Sequence, residues 1–132
     1  MNLAIATTID APLPEAVART REALADQGFG VLTEIDMAST LRTKIGAEIE
    51  DYVILGACNP TLAHRAVTAD RQIGLLLPCN VVVRTDVERP ERSIVEAMNP
   101  ALMVTVTDDP ALAPVADEAT TLLTAAIESL HA

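Results

Sequence analysis

The chain has 132 residues, half of them hydrophobic, and carries a formal net charge of −10. That length suits a single domain spanning residues 1–132 around one core, and the hydrophobic fraction excludes an intrinsically disordered chain. The acidic balance opposes phosphate backbones and anionic bilayers, and Tyr52 and Phe29 are the only aromatics, so neither nucleic acid nor a membrane is expected as a partner.

No run approaches the roughly 20 apolar residues of a membrane span. Residues 1–3 lead directly into a strand-like run without a basic stretch or signal core, so a cytoplasmic location is expected. Two cysteines do not make a secreted disulfide scaffold.

Leu3 to Thr7 alternates as an opening strand, with Leu3, Ile5 and Thr7 on one side and Ala4 and Ala6 on the other. Pro14 and Glu15 suit a first helical turn, and Leu13, Val17, Thr20 and Leu24 form a stripe behind them. Gly28 is a good stop; as the left-handed residue after the helix it lets Phe29 fold back on Leu24. Gly30 to Asp36 reads as a second strand, and Asp36 as the N-cap of a short helix from Met37 to Ile45, closed by Gly46. Leu41 and Ile45 are its expected apolar side. Lys44 lies next to that side, either as an apolar stem with its amine in water or as a positive group facing a ligand.

Tyr52 to Leu55 is a third strand, ending at Gly56-Ala57-Cys58. Asn59 then caps a helix whose first position is Pro60, and Leu62, Ala66, Ala69 and Ile73 suit its buried face. Leu75 to Arg84 reads as a long apolar strand. Pro78 cannot donate to a ladder, so an edge position or a bulge at Pro78-Cys79 is expected. A charged turn around Glu88 to Glu91 joins it to a strand from Ser93 to Met98, as a hairpin with a loose loop. Ala101 to Val106 is open between a helical turn and extended chain. The last helix begins near Ala113, because Pro114 tolerates only a first turn. The two late strands lack a crossover helix and should pair antiparallel, which favours a layered α+β domain.

Two stretches carry a Cys-Asn pair at the edge of a regular element: LGACNP at Leu55 to Pro60 and LLPCNV at Leu76 to Val81. Together with Asp36, Lys44-Ile45-Gly46 and Tyr52, they make the chain resemble the bacterial and archaeal family called domain of unknown function 302. The resemblance implies a TATA-binding-protein-like fold, a curved, largely antiparallel sheet with helices packed on one face, and frequent homodimers. No activity comes with it.

Cys58 sits between a strand and a helix start, where backbone N–H groups and the helix dipole favour a thiolate. Cys79 lies beside Pro78, where an irregular strand can expose its sulfur. Both are also explained as small buried hydrophobes, or as walls of an organic-ligand pocket. With His64 they offer three ligands to Cu(I) or Zn(II). Asn59 is explained by capping. Asn80, inside an apolar strand, needs a turn hydrogen bond or a ligand contact. No phosphate loop, HExxH segment or assignable Ser-His-Asp set is present.

The leading expectation is a small homodimeric domain that binds a ligand or soft metal at a cavity shaped by Cys58, Asn59, Cys79 and Asn80, with Lys44 nearby. A thiol-dependent redox or transfer enzyme is the first alternative, with Cys58 as nucleophile and Cys79 as resolving thiol. A structural or protein-interaction module is the second.

Overall fold

The computed structural model describes residues 2–131. Its elements are β1 (Ala4–Ile9), α1 (Leu13–Asp26), β2 (Gly30–Asp36), α2 (Met37–Ile45), β3 (Tyr52–Cys58), α3 (Pro60–Ala69), β4 (Cys79–Thr85), β5 (Ser93–Met98), α4 (Ala101–Thr107) and α5 (Ala113–Ser129). The strands form one open antiparallel sheet in the order β1-β5-β4-β3-β2, so the fold is α+β and its two edges come from the first two strands of the chain.

Local chemistry sets most element ends. The α1 helix closes in a Schellman arrangement: Phe29 N–H donates to Leu24 O at 2.9 Å and Gly28 N–H to Ala25 O at 3.0 Å. Gly28 has φ 85, a left-handed conformation that costs a residue with a Cβ, and Leu24 and Phe29 both enter the core. Asp36 caps α2 by accepting from Ser39 N–H at 2.9 Å, and Asn59 caps α3 by accepting from Leu62 N–H at 3.1 Å. Each cap is worth about 1 kcal/mol.

The core has two parts. Ile9, Leu55, Val81, Val83 and Val95 project from the sheet against Leu24 of α1 and Leu123 and Ile127 of α5. A second cluster joins Leu62 of α3 to Ile73, Met103 and Val115. Both lie on one side of the sheet, and strand alternation sends the intervening residues to the other.

Several expectations need correction. The first strand runs from Ala4 to Ile9, and Leu3 lies before it with 70% of its surface exposed. Ile45 is exposed and only Ala38 of α2 is buried, because this helix follows an edge strand away from the main helical layer. The α3 helix stops at Ala69; Ile73 reaches the core from a 3-10 turn over Arg71–Leu76, capped by Asp70, which accepts from Gln72 N–H at 2.9 Å. The strand therefore begins at Cys79, after a cis Leu77-Pro78 peptide, rather than at Leu75. Since Pro78 precedes the ladder, β4 loses no bond to it and occupies an interior position, neither edge nor bulge. The irregularity of register lies instead in β2, between Val31 and Thr33.

The hairpin turn is not loose. Asp86 accepts from Glu88 N–H at 3.0 Å and from Arg92 Nη2 at 2.7 Å, and Asp86 N–H donates to Arg92 O at 2.9 Å. Ala101–Thr107 is helical, with Thr105 and Thr107 hydroxyls donating back to Ala101 O and Met103 O, bonds that offset their β-branched preference for extended chain.

Candidate functional site

The ends of β3 and β4 converge with α3 on a small cavity. Cys58, Cys79, Phe29, Leu62, Met103 and Val115 are among the residues that line it, and its volume is about 30 Å³. That is room for one or two water-sized bodies, within walls that are otherwise almost wholly apolar. Phe29 arrives through the Schellman ending of α1, Leu62 from the first turn of α3, and Met103 and Val115 from α4 and α5.

The two cysteines differ in setting. Cys79 opens β4, pairs in register with Ala57 and is 7% exposed. Burial, with a smaller contribution from the neighbouring Cys58, pushes its thiol up to about 11, so the site holds it protonated at neutral pH. Cys58 is the last residue of β3 and half-buried. Both thiols are free.

The other expected site residues separate. Asn59 lines the same cavity, but its carboxamide oxygen is engaged as the α3 cap. Asn80 is exposed and follows Cys79 on the strand, so alternation turns it to the uncovered face of the sheet, opposite Gly56. Its amide meets water and needs no turn bond or ligand to satisfy it. Lys44 is exposed near the end of α2 and is not among the cavity's lining residues. His64 is exposed on α3, and among the described residues no three His, Cys, Asp or Glu side chains gather as a metal cluster. The three-ligand arrangement of Cys58, Cys79 and His64 is therefore not formed.

Residues outside the Cys-Asn stretches complete the picture. Phe29, Met103 and Val115 close the cavity from sequence positions that gave no hint of it, since apolar residues look alike until folding gathers them. On the opposite face, Tyr52, Arg84 and Glu96 are brought together around a wider groove. Arg84 and Glu96 stand among apolar strand residues, a signal visible in the sequence that alternation alone could have raised. No helix among the described residues is long and apolar enough to cross a membrane.

The model of a family described as "Domain of unknown function DUF302" matches residues 5–130. No curated protein matches the chain. Among solved structures, the crystal structure of an uncharacterised conserved DUF302 protein from Bacillus stearothermophilus is 26% identical, with a TM-score of 0.90, covering 99% of this chain and 100% of that one.

Proposed function

The chain belongs to the DUF302 family, and on that premise we propose that it is a single binding domain, residues 1–132, whose site is the cysteine-lined cavity and whose ligand is a soft, singly charged metal ion of the Cu(I) class. One observation carries this reading: Cys58 and Cys79, from different strands, share one small apolar cavity. Soft thiolates select Cu(I) over harder ions. Two of them are a sufficient donor set for it, whereas Zn(II) calls for four ligands and no third His, Cys, Asp or Glu side chain clusters with them among the described residues. The volume suits a bare ion rather than an organic molecule.

Binding must displace thiol protons, so affinity should rise with pH, and because burial pushes the Cys79 thiol up to about 11 the rise should continue to higher pH than for an ordinary thiol. Anaerobic titration of the reduced protein with Cu(I) against a chromophoric chelator tests this. One ion per chain is expected, with proton release and at least about tenfold weaker binding in both Cys58→Ser and Cys79→Ser. Wild-type binding no tighter than that of the double serine variant overturns it. The thiol-enzyme alternative has less support, because the proposed resolving thiol is buried and protonated; selective, rapid alkylation of Cys58 at neutral pH would favour it.

We also propose that the domain works as a cytoplasmic homodimer in which the β2 edges of two copies meet. This rests on the exposure of β2, including Leu32 at 67% and Ile35 at 44%, since an uncovered apolar edge strand is a template for pairing. Sedimentation across a wide concentration range should show a dimer that dissociates on Leu32→Lys; a monomer throughout rejects it.

A further inference from the structure

The uncovered face of the sheet carries a second concavity, separate from the cysteines. Tyr52, Asn80, Val82, Arg84, Glu96 and Met98 line a groove of about 480 Å³, within the range of small-molecule sites. Strand alternation builds it. Asn80, Val82 and Arg84 occupy successive same-face positions of β4, with Tyr52 of β3 opposite Arg84 and Glu96 of β5 opposite Val82.

Arg84 and Glu96 form a half-buried ion pair there. Arg84 Nε donates to Glu96 Oε1 at 2.8 Å, and the two side chains are 26% and 31% exposed. Only one atom of each is used. Arg84 Nη1 and Nη2 and Glu96 Oε2 have no hydrogen-bond partner among the described residues. A guanidinium fork and a carboxylate oxygen thus stand side by side in a groove whose remaining wall includes Val82 and Met98.

The charge pattern selects the ligand. The pair is neutral in sum. A plain anion meets Glu96, the field of the nearby Glu50 and a chain of net charge −10; a plain cation meets Arg84. A molecule carrying both charges close together satisfies both groups without opposing either. We propose that this groove binds a zwitterionic α-amino acid with an aliphatic side chain. Its carboxylate lies on the free Arg84 nitrogens, its ammonium on Glu96 Oε2, and its side chain on Val82 and Met98, with the Tyr52 hydroxyl and Asn80 amide at the rim.

The test is titration of ¹⁵N-labelled protein with L-leucine, 4-methylpentanoate and 3-methylbutylamine, which present the same aliphatic body with both charges, the carboxylate alone and the ammonium alone. Leucine should saturably shift the amides of Tyr52, Arg84 and Glu96, with each single-charge analogue binding about tenfold or more weakly. Arg84→Gln and Glu96→Gln should each abolish the leucine shifts. Their melting curves report whether they fold, and the wild-type comparison of the three compounds stands without them. Equal binding of leucine and 4-methylpentanoate overturns the proposal, as does the absence of leucine shifts on β3–β5 up to about 10 mM.

Discussion

Alkaline pH should separate the contribution of Cys79 from that of every other residue in the core. In the unfolded chain this thiol titrates near its ordinary value of 9.0, whereas burial in the fold raises it to about 11. The folded state then keeps a proton that the unfolded state has lost. The resulting stability is fully present below about pH 9 and disappears as pH climbs through 11. With those two values, raising the pH from 7 to 10.5 removes about 2 kcal/mol of folding free energy through this one group. Urea unfolding of wild type and Cys79→Ala at both pH values reads the effect, because the packing lost on truncation is common to both conditions and cancels. The stability gap between the two proteins should shrink by about 2 kcal/mol at the higher pH. Cys58→Ser should flatten the dependence only slightly, since desolvation outweighs the neighbouring thiol among its causes. Parallel pH profiles for wild type and Cys79→Ala would refute the reasoning and place the sulfur in contact with water.

Gly56→Ala should cost about 1–3 kcal/mol by overpacking, because the new Cβ meets Thr33 Oγ1 and comes within 2.8 Å of Pro78 Cγ; an unchanged urea midpoint contradicts it. Asp86→Asn should flatten the acid limb of the stability curve. Arg92 and the Glu88 N–H hold the Asp86 carboxyl below its ordinary value of 3.8, so its stabilisation is present above about pH 4 and is lost as pH falls further. Acid unfolding identical to wild type would deny that role. Gly28→Val should lower stability by about 1–2 kcal/mol, since φ 85 is strained for a residue with a Cβ; a preserved thermal midpoint would show that the Schellman ending is dispensable.

The residues that begin and end helices were legible in the chain because their work is local. Asp36 and Asn59 satisfy N–H groups three residues ahead, Gly28 takes a left-handed turn wherever it sits, and Pro60 and Pro114 fit first turns in any surroundings. The α+β class was equally readable, as strand-like and helix-like periods alternate and the late strands have no crossover between them. The two Cys-Asn stretches could be singled out from the same string.

Their separation could not be seen so readily. Adjacent residues on a strand face opposite ways, so Cys79 and Asn80 were bound to part once both lay inside β4; what the string did not disclose was that β4 begins at Cys79 and that helices cover only one face. Leu75 and Leu76 looked like strand until a 3-10 turn anchored by Ile73 consumed them. Ile45 looked buried, but α2 follows an edge strand and leaves it in solvent. Helix caps depend on hydrogen bonds spanning a few residues, and the sequence determines them alone. Strand order, the covered face and the cavity beside Cys58 and Cys79 depend on which distant apolar surfaces meet, and only the tertiary structure decides that.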